Sequence, residues 1–387
     1  MTRETSNEDF LQSRPELLDL RFITKVFLSV AYVFPSFKEK SKCRELRRVI
    51  FEYTSTMIFF AYVTIDLLKL IKYFSVLPLG LTFTVFMTDF FSSVIRIVLL
   101  HKRKEIFSLL IRLLGTSYEL QPNRTFKKRT QLLSGFCICF IIPVTFFALT
   151  FTICRSSSES ALMVQGNFFG WKAQKHWQNC LVLLISDLVC LNQEYLLPGF
   201  VVVLCCYTLG TLRDILVKFS AALQDINKSV TLIMYYQKYS NNIINGVEQF
   251  ENALSLLILL LFGYMTSSIF TVTTFLLRIR RERLELIVAL PQSILLGVFL
   301  TAFYVCSVYA VNVHKEALKV KNGVYNLVAL TKFDNEKQRN LLLTLANDFP
   351  KRVIITGWNI FSFTPNFIQK AAGSMISYGI ILSHFDK

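Results

Sequence analysis

The sequence predicts an all-α integral membrane protein with seven transmembrane helices. Of its 387 residues, 53% are hydrophobic and 18% are charged, whereas soluble domains contain about 45–50% apolar and about 25% charged residues. The apolar residues form blocks as long as the roughly 20 residues that a helix needs to cross the hydrocarbon core. The charged residues collect between these blocks, so their distribution indicates a multispanning chain more strongly than the mean hydropathy of +0.46 does.

This pattern divides the chain into four parts. Residues 1–48 are a predicted cytoplasmic N-terminus, in which the stretch 22–36 is too short to span a bilayer and is expected to be an interfacial helix. Six spans with a ligand pocket follow over 49–312, then a cytoplasmic anchor region over 313–363, and a last, pore-lining span with the C-terminus over 364–387. The seven spans are predicted over residues 50–72, 74–100, 131–154, 179–209, 253–277, 285–312 and 366–385.

A break at Thr364-Pro365-Asn366 divides the final apolar segment of the chain. Proline suits the first turn of a helix, where its missing N–H is not needed, and the hydroxyl of Thr364 can cap that turn. The sequence therefore predicts two helices, 353–363 and 366–385. The second contains 20 residues and matches one bilayer crossing, because a helix rises about 1.5 Å per residue.

Lysine and arginine residues set the predicted orientation, since cytoplasmic loops carry an excess of both. With the N-terminus in the cytosol, the inside segments contain 30 basic residues and the outside segments contain 9. The inside segments are 1–48, 101–130, 210–252 and 313–352, and 210–252 is also predicted to extend helices beyond the membrane. Four arginines within 278–283, in a short outside turn, are the exception. We expect a plasma-membrane protein with a cytoplasmic N-terminus and an extracellular C-terminus.

Several function classes lack the residues that they require. Basic cytoplasmic loops explain the net charge of +16, and no basic stripe interleaved with exposed aromatic residues predicts nucleic-acid binding. Nine cysteines without CxxC or Cys/His spacing predict no metal site and no cofactor. Ionisable residues inside a membrane are functional candidates, but no catalytic motif accompanies Asp89, Asp187 and Glu194, so the sequence does not predict an enzyme.

Two other classes of membrane protein are alternatives. A G-protein-coupled receptor has an extracellular N-terminus, which the basic residues oppose. Its Asp-Arg-Tyr and Asn-Pro-x-x-Tyr motifs are also missing from the expected ends of spans 3 and 7. A small-molecule transporter often contains inverted repeats, and the sequence shows none, which makes the transporter the weaker alternative.

The most specific feature is the C-terminal stretch 373–385, GSMISYGIILSHF. It resembles the signature of insect gustatory receptors, which reads Thr-Tyr, five mostly apolar residues, and Gln-Phe. Ser377-Tyr378 stands at the Thr-Tyr position and keeps the hydroxyl, whereas His384-Phe385 stands at the Gln-Phe position and changes its chemistry. Gly357 and Phe361 also follow the layout of that family's last two helices, and the close match covers about 35 residues.

The resemblance implies a ligand-gated, non-selective cation channel that acts as a taste receptor. In that family, with the related insect odorant receptors, four subunits surround one central pore, and the last helix of each subunit lines it. The cytoplasmic parts of spans 4 to 6 and the helix before span 7 form the shared anchor. A small-molecule tastant binds each subunit between its outer helix halves, and cations permeate. The sequence leaves open whether the tetramer contains identical or different subunits.

Helical periodicity places one stripe of six residues along the last span. The inner part of this stripe is small and hydroxylic, and the outer part is bulky, as in hydrophobic constrictions that gate pores by dewetting. By the resemblance, the predicted pore and gate residues are Ser374, Ser377, Tyr378, Ile381, His384 and Phe385. Ile381 and Phe385 would form the constriction, with His384 at the mouth. Without the resemblance, the same stripe reads more readily as helix-packing surface.

The predicted ligand pocket lies among the outer halves of spans 2 to 6. Ligand pockets are mostly apolar with a few placed polar groups, and these segments are rich in phenylalanine with scattered hydroxyl, amide and carboxyl groups. Their apolar character favours apolar ligands over sugars. The predicted ligand-contact residues are Thr84, Thr145, Asp187, Thr271 and Gln292.

His384, where the signature has glutamine, predicts a pH-dependent conductance. Histidine titrates near neutral pH, and four imidazolium groups around one axis would repel permeating cations. We therefore expect the cation current to fall as the external pH drops through the range in which histidine gains its proton, and His384→Gln to remove this dependence. Whole-cell currents recorded in a series of external pH values measure the effect. A wild-type current that does not change with pH, and stays so in His384→Gln, would exclude the hypothesis.

Overall fold

The computed structural model describes residues 79–120, 154, 175–224, 229–282, 286–330 and 335–385, together with parts of 53–71. These residues are almost entirely helical. The predicted interfacial helix over 22–36, the rest of the N-terminal part and predicted span 3, apart from Cys154, lie outside the described residues.

Seven helices follow residue 78 in the described part of the chain, and helical residues between 53 and 71 belong to predicted span 1. The seven are α1 (Leu79–Leu120), α2 (His176–Cys190), α3 (Leu197–Gln224), α4 (Ser229–Glu282), α5 (Leu286–Leu330), α6 (Glu336–Arg352) and α7 (Phe367–Phe385). A π-helical segment, Leu191–Leu196, joins α2 to α3. Two short strands, β1 (Thr356–Gly357) and β2 (Phe361–Ser362), lie between α6 and α7.

Four helical stretches in the described part of the chain are long and apolar enough to cross a membrane. They are Gly80–Leu120, Gln193–Gln224, Thr231–Leu277 and Gln292–Leu330. The chain is therefore an all-α integral membrane protein, as the sequence predicts. The count of seven spans and the orientation of the termini stay predictions.

The helices are longer than the predicted spans. The predicted spans end at residues 100, 209 and 312, whereas the helices continue to Leu120, Gln224 and Leu330. The 54 residues of α4 would measure about 80 Å at 1.5 Å per residue, more than twice the roughly 30 Å of a hydrocarbon core. Charged residues mark where a helix leaves the lipid rather than where it ends, which explains the difference. The prediction of helices over 210–252 is confirmed for the described residues 210–224 and 229–252.

The helix α1 shows how the bundle divides its surface. Its side chains Phe83, Phe86 and Phe90 are exposed and recur at the helical spacing, whereas Ile95 and Leu99 are buried against the other helices. Together with α3, α4 and α5, α1 encloses one continuous apolar core. Exposed phenylalanines on one stripe are expected where a helix faces lipid, because hydrocarbon solvates them as well as a protein core does.

The segment 353–363 is a β-hairpin, so the prediction of a helix there is wrong. Thr356 pairs with Ser362 and Gly357 with Phe361 in an antiparallel register. The Ile360 N–H donates to the Gly357 carbonyl at 3.0 Å and closes a turn whose two central residues both have positive φ, 49° at Trp358 and 58° at Asn359. Positive φ at both positions defines the type I′ turn of tight hairpins.

The composition of this segment explains the error. A short apolar run fits a buried helix and a strand equally well by hydropathy alone. Its β-branched residues Ile354, Ile355 and Thr356, followed by glycine and asparagine near the turn, are the strand and turn signals that decide the outcome.

The predicted helix after the break is confirmed as α7, whereas the hairpin, and not a helix, precedes the break and connects it to α6. Asn335 caps α6 by accepting a hydrogen bond from the Lys337 N–H at 2.9 Å. The Phe367 N–H donates to the Thr364 carbonyl at 2.9 Å, so α7 starts one residue after the predicted boundary.

The ring of Phe361 leaves no room for a side chain at position 357. A Cβ at position 357 would overlap the Cζ and Cε1 atoms of that ring. We expect Gly357→Ala to cost about 1–3 kcal/mol, the usual range for overpacking, and to lower the melting temperature of the detergent-solubilised protein.

The matched control is Gly115→Ala, because a Cβ there would meet no atom within 4 Å. Alanine favours a helix interior over glycine by about 0.5–1 kcal/mol, so this variant should melt at or above the wild-type temperature. Equal melting of the two variants would contradict the packing described for Gly357.

Candidate functional site

A cavity of about 770 Å³ lies between α1, α4 and α7. The α5 residue Phe303 and the hairpin residue Phe361 complete its lining. The walls are mostly aromatic or aliphatic, and include Phe83, Phe91, Phe262, Phe270, Ala371 and Met375. Its polar lining residues are the hydroxyl-bearing Thr84, Thr266, Ser267 and Ser374, and none of the described residues that line it is charged. We refer to it as the α7 cavity.

Four phenylalanines of the lining meet at one end of the α7 cavity. The ring of Phe262 lies 4.8 Å from that of Phe303 and 5.8 Å from that of Phe367, measured between centroids. Phe361 stacks on Phe367 at 5.2 Å, and Phe363 packs on Phe367 at 4.6 Å. These four lining residues and Phe363, together called the aromatic cluster, join α4, α5, the hairpin and the first residue of α7. The start of α7 is therefore fixed to the bundle by ring packing.

The hydroxyl groups of the cavity are mostly used within their own helices. Thr84 donates to the Leu81 carbonyl at 2.9 Å, and Ser374 donates to the Lys370 carbonyl at 3.0 Å. Ser267 donates to the Tyr264 carbonyl at 3.0 Å and accepts a hydrogen bond from Thr88 at 3.2 Å.

Thr266 differs from these three residues. Its half-buried side chain lines the α7 cavity, and it has no hydrogen-bond partner among the residues that the structure describes. Its hydroxyl can therefore both donate and accept, whereas Thr84, Ser267 and Ser374 offer only their oxygen lone pairs.

A second polar site lies at the π-helical segment between α2 and α3. The Arg96 guanidinium donates to the Gln193 side-chain oxygen at 2.7 Å, and the Gln193 amide donates to the Ser92 carbonyl at 3.3 Å. Ser92 and Gln193 are fully buried, and Arg96 is 6% exposed. Arg96 also lies 5.2 Å from the centre of the Phe59 ring. The arrangement pairs a buried cation with an amide and an aromatic face.

Two hydroxyls from other helices donate hydrogen bonds to backbone carbonyls of the π-helical segment. The Ser92 hydroxyl donates to the Gln193 carbonyl at 2.8 Å, and the Tyr264 hydroxyl donates to the Glu194 carbonyl. Pro198 follows and has no N–H. That N–H would reach the Glu194 carbonyl in an α-helix or the Gln193 carbonyl in a π-helix. Neighbouring helices therefore supply the hydrogen-bond donors that this segment lacks.

Comparison with known proteins identifies the fold but not a family. No protein-family model and no curated protein matches the sequence. The structure of the olfactory receptor OR5 from the insect Machilis hrabei superimposes with a TM-score of 0.69 at 14% identity, over 95% of this chain and 99% of that chain. The same receptor in complex with eugenol gives 0.70 at 12% identity, over 96% and 100%.

The chain has the fold of an insect olfactory receptor. The sequence identities are too low to carry more than the fold. Both neighbours are receptors rather than enzymes, and the fold does not favour the G-protein-coupled alternative.

Within this fold, the predicted ligand residues lie apart. Thr84 lines the α7 cavity. Thr271 is not among the described lining residues and lies one turn after Ser267 on α4, where its hydroxyl donates to the Ser267 carbonyl at 2.9 Å. The backbone of Asp187 belongs to α2. Gln292 is half-buried near the start of α5 and is not among the described residues that line this cavity. Thr145 lies outside the described residues.

The predicted pore and gate residues all belong to α7. Ser374 lines the cavity, and the Ser377 hydroxyl donates to the Gly373 carbonyl at 3.0 Å. The side chains of the other four lie outside the description; these residues are Tyr378, Ile381, His384 and Phe385.

Sequence reasoning missed Gly263 and Thr266, both in the middle of α4. A Cβ at Gly263 would lie 2.7 Å from the Cζ atom of Phe91, so this glycine makes room for a ring of α1. Neither residue forms a motif, and their importance depends on a helix pairing that the sequence does not state. Pro198 was the available signal for the π-helical segment, because a proline inside an apolar span removes a backbone donor.

The Tyr264 hydroxyl provides a direct test of the backbone pairing. In Tyr264→Phe, the Glu194 carbonyl loses a buried partner, which costs about 1–3 kcal/mol, so the melting temperature in detergent should fall. Tyr304→Phe is the matched control, because Tyr304 is 58% exposed on α5 and its loss should leave melting unchanged. If the two variants melt alike, the hydroxyl does not stabilise the π-helical segment.

Proposed function

We propose that the chain is a subunit of a ligand-gated, non-selective cation channel and acts as a gustatory receptor for a small-molecule tastant. The proposed assembly is a tetramer of identical or related subunits in the plasma membrane, with a cytoplasmic N-terminus and an extracellular C-terminus. In it, the last helix of each subunit, α7, lines the pore.

One observation carries this proposal. The helix α7 holds the residues that resemble the gustatory-receptor signature, and the same helix forms one wall of a cavity of ligand size. A ligand site and a pore wall on one helix provide a route by which binding can change conductance. The olfactory-receptor fold supports the same reading, and one structure with this fold was determined with eugenol, which supports a small organic ligand here.

Currents in cells that express the full chain test the proposal. We expect a panel of neutral organic compounds, including eugenol, to evoke a cation current that persists when the pipette contains a G-protein blocker. Second-messenger signalling without a current would favour the G-protein-coupled alternative, and solute uptake without a current would favour the transporter.

The predicted constriction can be tested separately. Ile381→Ala should raise the current measured without ligand, because a smaller side chain weakens dewetting at a hydrophobic gate. Ile376→Ala is the matched control, since five residues at about 100° each place it about 140° around the helix from Ile381. An equal effect of the two variants on basal current would remove Ile381 from the gate.

A further inference from the structure

The α7 cavity has the size, lining and hydrogen-bonding groups of a binding site. We propose that it takes a neutral, largely apolar molecule with one hydroxyl-type group, and that this ligand acts on α7 by direct contact. The second statement rests on the proposed channel function. The site differs from the predicted pocket among the outer halves of spans 2 to 6, because its lining includes the last helix and the hairpin.

The lining excludes charged ligands. A charged group buried without a partner costs far more free energy than an apolar contact returns, and none of the described lining residues carries a charge. The volume of about 770 Å³ falls within the roughly 300–1,000 Å³ of small-molecule sites. Metal ions and small inorganic anions would leave most of it unfilled.

The hydroxyl groups define the polar part of the ligand. Three of the four already donate within α1, α4 or α7 and keep only acceptor capacity, so they favour a ligand that brings a donor. Thr266 can accept that donor or donate in return. A sugar, with many hydroxyls to satisfy, would find too few partners among the aromatic walls, whereas an alcohol or phenol matches one or two of them.

The contact with α7 makes the site relevant to gating. Ala371, Ser374 and Met375 follow one another at helical spacing and present one face of α7 to the cavity. The aromatic cluster holds the first turn of this helix, and the cavity separates the following two turns from α1 and α4. A ligand would fill that space, and the flexible Met375 can adapt to its shape.

Photolabelling of the purified full-length protein in phospholipid nanodiscs locates the site. The probe is 4-propylphenol with a diazirine on the propyl chain, followed by peptide mass spectrometry. We expect saturable labelling within 83–91, 259–270 or 371–375, displaced by unmodified 4-propylphenol. Labelling confined to other segments, as expected if lipid or a second subunit fills the cavity, would overturn the proposal. Labelling that excess competitor does not displace would also overturn it.

Two variants then test the geometry by competition binding. Gly263→Ala pushes the Phe91 ring, whose Cζ lies 2.7 Å from the new Cβ position, towards the cavity, and should weaken 4-propylphenol binding about tenfold, or by about 1.4 kcal/mol. Gly297→Ala is the control, because its Cβ would meet nothing within 4 Å, and it should bind like the wild type. Equal affinities of the two variants would contradict the site.

The hydroxyl is tested by comparing 4-propylphenol with 4-propyltoluene, which replaces the hydroxyl by a methyl group. The preference of the protein for the phenol should fall about three- to tenfold in Thr266→Val, the range expected for one hydrogen bond. Thr301→Val on the exposed side of α5 should leave the preference unchanged. Comparing ratios cancels the different partition of the two probes into lipid. An unchanged ratio in Thr266→Val would overturn the role of the hydroxyl.

Binding and current separate the two proposals. Labelling of the cavity in a protein that carries no current would leave the site in place and remove the proposed channel function. A ligand-evoked current in a protein whose cavity is not labelled would keep the channel and overturn the site.

Discussion

The packing of Phe361 on Gly357 and Phe367 determines how the last helix joins the bundle. The tip of the ring lies against the glycine of the opposite strand, and the ring stacks on Phe367 at 5.2 Å. Because the hairpin is only two residue pairs long, its own backbone hydrogen bonds would hold it weakly. The aromatic contacts stabilise it, together with the Glu251 carboxylate, which accepts a hydrogen bond from the Thr356 N–H at 2.7 Å. Phe262 adds the connection to α4, with its ring 5.2 Å from that of Phe363. The position of α7, and with it the cavity, depends on this contact.

The π-helical segment obeys a different constraint, the need to satisfy every backbone group inside a membrane. No water is available in the hydrocarbon core to replace a missing donor. Pro198 removes one, and the Ser92 and Tyr264 hydroxyls, from α1 and α4, take its place. The proline therefore links three helices, since α3 is fully paired only when α1 and α4 lie in contact with it.

The sequence predicts the features that follow from local chemistry. Hydropathy identifies the membrane class, and the proline at 365 locates the start of α7 to within one residue. Each of these depends on a single segment of the chain.

Features that depend on pairing between segments could not be predicted in the same way. The role of Gly263 becomes visible only when Phe91 of α1 is placed against it. Thr266 is distinguished by lining the cavity and having no partner among the described residues. The hairpin could not be predicted from hydropathy, which does not distinguish a short strand from a buried helix. Its β-branched and turn residues carry the deciding signal.

The surroundings of the α7 cavity affect how a ligand would bind. The cavity of about 770 Å³ is open to its surroundings, and its lining residue Phe83 is 53% exposed. In a membrane, the nearest molecules that can enter it are lipid chains. Small residues such as Ala371 and Ser374 usually let helices approach closely, but here both line the cavity. A ligand that displaces a lipid chain gains little from apolar contact, because one hydrocarbon replaces another. Its preference for the site must come from shape and from the hydroxyls. The Thr266 hydroxyl has no partner among the described residues, and a lipid chain offers it no hydrogen bond.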